Sequence, residues 1–325
     1  MEDQIKVFFN SELCLEAESN KYKTGKLVLF SENVAFRASK VYVEGTIEEE
    51  YSSRDRGYIP QGDPQGGRVE HMVLIYGNAG TKWDLISAYP YVGYLSPLEE
   101  SNFQIEFTDY LFDSVMFLAL TAPNGYAFDS PSRGKPALKE QWQWYLDSLF
   151  TEGRHLAAFD EAMDKVNNQL GQERKLKIYI MIPNPMPQIK SFGAVDNTSS
   201  LNFSLKDSIA NKEQRYKAVK WYLDQFFVCY EKANYKNIEL IGFYWLQEIV
   251  DRSIPGELEL LKDINSYLHA RELKFSWIPY FNVDGRREYE NLGCDLCIYQ
   301  PNYMFGADIL PTRLLETPKK RINTV

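Results

Sequence analysis

An apolar run, "IELIGFYWLQEIV" (Ile238–Val250), closes on Gln247 and Glu248. A carboxyl set among Tyr244, Trp245 and Tyr280 would be partly desolvated. Desolvation favours the protonated form, which a general acid needs if it is to protonate a departing glycosidic oxygen. The plainer reading is a solvated acid in the first turn of a short helix "QEIVDRS", favoured there by the helix dipole. Residue chemistry alone weighs the two equally. Three other stretches share a pattern: "IMIPNP" gives Asn184 after Pro183, "WIPYFN" gives Tyr280 and Asn282 after Pro279, and "YQPNY" gives Gln300, Asn302 and Tyr303 around Pro301. Proline cannot donate to a sheet ladder, so each marks the end of a strand. Any one of these asparagines is ordinary turn chemistry. Together they put amides and phenols on one rim, where they could hydrogen-bond sugar hydroxyls while aromatic faces stack on sugar rings.

The elements that must position these residues are legible as runs of strand length. "HMVLIYG" (71–77), "DSVMFLAL" (113–120), "KLKIYIMIP" (175–183), "IELIGFYWL" (238–246), "KFSWIPYF" (274–281) and "CDLCIYQP" (294–301) are continuously apolar rather than alternating, as strands buried on both faces should be. Between them lie stripes of helical spacing: Leu138, Trp142, Tyr145, Leu146 and Leu149, then Val219, Tyr222, Phe226 and Cys229, then Leu258, Leu261, Ile264 and Leu268. Strand and helix in alternation imply a parallel sheet covered by helices. No GxGxxG or GxxxxGK[ST] follows a strand, which removes the usual nucleotide-binding versions of the open sheet. The polar residues gather after several different strands, where barrel enzymes place their sites. The expected fold class is therefore α/β, a TIM-like (β/α)8 barrel, complete or left open and incomplete, of which six strands are legible. Residues 71–325 form this domain, and residues 1–70 form a small, partly β-sandwich-like segment and linker ahead of it.

The bulk properties exclude several functions. A net charge of -9 repels nucleic acid phosphates. No run approaches the ~18 apolar residues of a membrane span, and "MEDQIKVFFN" carries no export signal. Cys294 and Cys297 form a CxxC in a β-like run without a second Cys or His pair, so they read as structural. The three histidines, His71, His155 and His269, are too scattered for a metal triad or a Ser-His pair. No cofactor or metal is expected, and the oligomeric state cannot be read.

Several segments in order, "MVLIYGN", "YVGYLSP", "LFDSVMFLAL", "QWYLDSLF", "IGFYWLQE", "FSWIPYFNVDG" and "LGCDLCIYQPNYMF", resemble the bacterial family called domain of unknown function 4855 over about residues 71–306. That family is similar to clan A retaining glycosidases, with the acid/base at the end of strand four and the nucleophile at the end of strand seven. The resemblance implies that Glu248 is the acid/base. It also sets Gln247 where many such enzymes have an asparagine on the sugar 2-hydroxyl. It further suggests an extracytoplasmic parent, as does "AFRASKVYVEG" (35–45), which loosely resembles the closing strands of discoidin-like sandwiches. After the sixth strand "TRLLETPKKRINTV" offers no further acidic strand, so the chain reads as truncated relative to the family. A partner for Glu248 would have to be Asp284, which is more readily a turn, Asp295, at the wrong end of its strand, or Asp129, in the loop "NGYAFDSPSRG". The functional expectation is a glycoside hydrolase-like protein acting on an oligo- or polysaccharide, with Glu248 as acid/base. Asn184, Tyr244, Trp245, Gln247, Tyr280, Asn282, Gln300, Asn302 and Tyr303 would bind the substrate. The alternative is a carbohydrate-binding protein without turnover.

Overall fold

The computed structural model describes residues 4–9, 12–18, 59–95, 105–196 and 199–281, and beyond these 283, 285–286, 289–306, 309–311 and 313–314. All six apolar runs contain strands of a single sheet: β1 (Met72–Tyr76), β2 (Ser114–Leu118), β3 (Leu176–Ile182), β4 (Ile238–Trp245), β5 (Lys274–Trp277) and β6 (Leu296–Cys297). They lie side by side in chain order and every neighbouring pair is parallel. The central β2 is buried along its whole length, which is why its sequence shows no alternation.

The crossovers carry α1 (Leu85–Val92), α2 (Lys139–Leu149), α3 (Leu156–Leu170), α4 (Ser208–Ala233) and α5 (Glu257–His269). The strand order never reverses, so right-handed connections bring the crossing helices to one face of the sheet. Phe117 of β2 meets Phe159 of α3 edge-on at 5.2 Å, and Phe243 of β4 meets Phe226 of α4 at 5.3 Å. The Asp207 side chain caps α4 by accepting from Ala210 N–H, and the helix stops at Asn234 in a left-handed conformation.

The second face is covered at the N-terminal ends of its strands by the segment before β1. Its turn Pro64–Gly66 lies beside Leu296, and the carbonyl of Arg68 accepts from Lys177 Nζ at 2.6 Å. Gly67 is left-handed, and a Cβ there would stand 2.3 Å from Ile241 Cγ2, so glycine is required. Asp113 ties the same end together by accepting from the Glu70 and His71 amides and from Lys177 Nζ. Between β3 and β4 the register slips: Leu240 pairs with Ile178 and Gly242 with Tyr179, leaving Ile241 as a β-bulge.

A TIM-like (β/α)8 barrel, complete or incomplete, was the expected fold, and the sheet does not make a complete one. Among the described residues it has six strands, and β1 and β6 are its two edges, each paired on one side only. Closing a barrel needs about eight tilted strands in a fixed stagger, and β6 contributes only a two-residue ladder to β5. Doubly buried parallel strands read alike in open and closed sheets, so the apolar runs could not have shown the difference.

The chain divides into two units, Met1–Phe36 and Arg37–Val325, and in the first Gln4–Phe9 and Glu12–Glu18 form an antiparallel hairpin. The sandwich-like stretch 35–45 lies outside the described residues, as do Asn282 and Asp284. Among the described residues no helix is long and apolar enough to cross a membrane.

Candidate functional site at the C-terminal strand ends

The β4 ladder ends at Trp245, and the main chain that follows is held from the β5 side. Trp277 Nε1 donates to the Gln247 carbonyl at 2.8 Å, and Tyr280 N–H donates to the Glu248 carbonyl at 3.0 Å. Glu248 is thus fixed at its backbone while its side chain is partly exposed. This is the arrangement a reactive group needs: rigid support with access to a ligand. The same hydrogen bond brings Tyr280, half exposed, beside Glu248.

A second carboxylate reaches this rim from β2. After β2 the chain folds into a small sheet of Thr121–Ala122, Tyr126–Ala127 and Lys135–Pro136, whose last connection carries Asp129 and Arg133. Arg133 Nε lies 3.0 and 2.8 Å from the two Asp129 Oδ atoms. Asn184, two residues past β3, clamps the connection: its N–H donates to the Phe128 carbonyl and its Nδ2 to the Asp129 carbonyl, both at 2.9 Å. Because β3 lies between β2 and β4, this clamp brings the Asp129 loop to the strand end beside Glu248.

Two phenols register the result. Tyr244, 3% exposed, has its phenol pushed far up, first by burial and then by the charges of Glu248, Tyr76 and Asp129. It therefore keeps its proton across the physiological range and offers an O–H donor. Tyr76, at the end of β1, is raised by burial and by Glu248 while Arg133 opposes the shift. Tyr76, Asp129, Arg133, Tyr244 and Glu248 thus share one field, with Asn184 behind them and Tyr280 alongside.

The remaining expected site residues stand elsewhere. Trp245 is 1% exposed and packs on Phe275 in the core, its Nε1 without a hydrogen-bond partner among the described residues. Gln247 offers its carbonyl to Trp277. Gln300, Asn302 and Tyr303 follow β6, two strands from β4, and share no hydrogen bond with the Glu248 group among the described residues. Asn302 is buried in a left-handed conformation with Oδ1 unpartnered among the described residues, and Tyr303 is exposed. Asp295 sits just before β6 at the N-terminal end, where it accepts from Phe275 N–H and pairs with His269. Among the described residues no group of three His, Cys, Asp or Glu side chains could hold a metal ion.

Sequence reasoning passed over Tyr76 and Arg133. "IYGN" repeats the tyrosine-then-asparagine ending of "PYFN", and that signal could have found Tyr76. Arg133 lies four residues from Asp129, a spacing that carries meaning only once the loop between them is folded.

The molecule is an α/β protein with an open, singly wound parallel sheet and a two-carboxylate rim at the C-terminal ends of its strands. The chain belongs to the family described as Domain of unknown function (DUF4855), whose model matches residues 71–322. No curated protein and no solved structure matches the chain.

Proposed function

We propose that the protein hydrolyses a glycosidic bond, with Glu248 as the acid and Asp129 as its carboxylate partner. The observation that supports this reading is the common field of the two carboxylates on Tyr244, with half-exposed Tyr280 beside them as a surface for a sugar ring. Of the three possible partners of Glu248, Asp295 is tied down at the opposite end of the sheet, Asp284 lies outside the described residues, and Asp129 shares the rim. Arg133 Nε faces both oxygens of Asp129, and a carboxylate has about four acceptor positions, so room remains for a water.

In this mechanism Glu248 gives its proton to the glycosidic oxygen as the bond from that oxygen to the anomeric carbon breaks. Water forms the new bond to the anomeric carbon and passes a proton to Asp129. The elements of water are added across the bond, and exchange with solvent resets both carboxyls. Tyr244 and Asn184 hold the rim in place.

A second reading is a carbohydrate-binding protein without turnover. It draws on the engagement of Asp129 by Arg133, which leaves Glu248 as the one carboxylate of this group, among the described residues, without an ion-pair partner. Reducing-end release from a panel of polysaccharides separates the two. Turnover that falls at least ~100-fold in both Glu248→Gln and Asp129→Asn supports hydrolysis. Glycan binding with no turnover by the unaltered protein supports the second reading.

A further inference from the structure

Among the described residues Arg133 is held by one nitrogen and free at two. Nε faces both oxygens of Asp129, whereas no hydrogen bond or ion pair with a described residue engages Nη1 or Nη2, and the side chain is 45% exposed. The loop is itself fixed: Arg133 N–H donates to the Ser130 carbonyl at 3.2 Å, Ser130 and Ser132 hydroxyls are 2.8 Å apart, and Asn184 clamps Asp129 from beneath. A guanidinium pinned at Nε presents its outer pair of nitrogens as a planar, two-pronged donor. That geometry matches a carboxylate, and little of its side-chain freedom is left to lose on binding.

Its position matters as much as its shape. Asn184 seats the Asp129 loop at the end of β3, and the Arg133 charge acts on Tyr76, which also feels Glu248, so the guanidinium stands at the same rim. A neutral sugar needs no cation there, and the chain as a whole is acidic at -9. An anionic chain would be repelled unless a fixed cation met it.

We infer that the rim is built for a carboxylate-bearing glycan, a uronate polymer or oligomer, whose carboxylate is gripped by Nη1 and Nη2 of Arg133 while Asp129 positions the guanidinium. This rests on the carbohydrate reading of the same site. The probes are polygalacturonate and the same polymer after chemical reduction of its carboxyls to neutral alcohols. Binding is measured by calorimetry on the full chain and on the Glu248→Gln variant, which removes turnover from the readout.

The uronate form is expected to bind about tenfold or more tightly than the reduced form. Arg133→Gln should abolish that preference. Arg133→Lys, which keeps the charge beside Asp129 but loses the fork, should recover only part of it. Thermal melts of both variants check that the loop still folds. Equal affinity for the two polymers, or a preference that survives in Arg133→Gln, overturns the inference while leaving the carbohydrate reading intact. If the unaltered protein neither binds nor cleaves either polymer but acts on another, neutral glycan, the inference fails alone. If no glycan is bound or cleaved, the carbohydrate reading fails with it.

Discussion

Replacing Glu257 by alanine leaves the guanidinium of Arg215 without its counter-ion, 1% exposed, between α4 and the start of α5. Two partners remain, since Nε donates to Asn211 Oδ1 at 2.7 Å and Nη2 to the Pro255 carbonyl at 2.8 Å, but neither is charged. Breaking one side of a buried pair costs about 3–5 kcal/mol, because the surviving charge is stranded away from water. The same two helices supply a control. Lys212 and Asp263 are 2.8 Å apart but 25% and 41% exposed, so Asp263→Ala should cost about 0–1 kcal/mol. In urea, with a slope of about 3 kcal/mol/M, the two variants should move the midpoint by roughly 1–1.7 M and less than ~0.3 M respectively. A Glu257→Ala shift no larger than that of Asp263→Ala would refute the reasoning.

The double variant Arg215→Met/Glu257→Leu should recover most of the loss, since an apolar pair carries no desolvation penalty. Burial outweighs Arg215 and lifts the Glu257 carboxyl above its ordinary range. A carboxyl raised in the folded state contributes stability at low pH and loses it as pH rises through the folded value. The stability of the apolar pair relative to the ionic one should therefore be greater at pH 7 than at pH 4.

Two further outcomes are expected. Gly242→Ala would put a Cβ 2.2 Å from the Lys274 carbonyl oxygen and 2.9 Å from Tyr179 Cε1, so it should destabilise by roughly 3 kcal/mol or more, read from thermal melts; a variant of normal stability would show that β4 and β5 can separate. Burial, helped by Arg154, lowers the His155 imidazole below its usual value, so stability should be full above about pH 6.5 and fall as pH drops through the folded value, a dependence that His155→Gln should remove in denaturant titrations between pH 5 and 8.

The strands were legible because each is a short apolar run that a doubly buried sheet requires, and Glu248 was legible because such a run ended in a carboxylate. Three of the helices announced themselves through large apolar residues at helical spacing. The helix Leu156–Leu170 did not, because Ala158 and Ala162 share its buried stripe with Phe159 and Met163 and dilute the signal. Openness of the sheet was legible only as a count, six strands where about eight close a barrel, because closure depends on strand number and stagger, neither of which alters the composition of an individual strand. The role of Asp129 was hidden by the eleven-residue excursion after Leu118 that returns it to the rim, since only the Asn184 clamp reveals where it lands.

The bulge at Ile241 sets the phase of everything after it. Side chains alternate along a strand, yet Ile241 and Gly242 both lie toward the second face, against Gly67 and Tyr179, before Phe243 turns back to α4. If Ile241 were instead paired in regular alternation, the strand would run one step out from there, sending Phe243 to the second face and Tyr244 toward the helices. Deleting Ile241 would thus give an unbulged ladder, with Leu240 and Gly242 adjacent opposite Ile178 and Tyr179, and leave Tyr244 on the face it holds now, whereas regular pairing with Ile241 retained would give that face to Trp245. One unpaired residue in mid-strand decides which aromatic the rim receives.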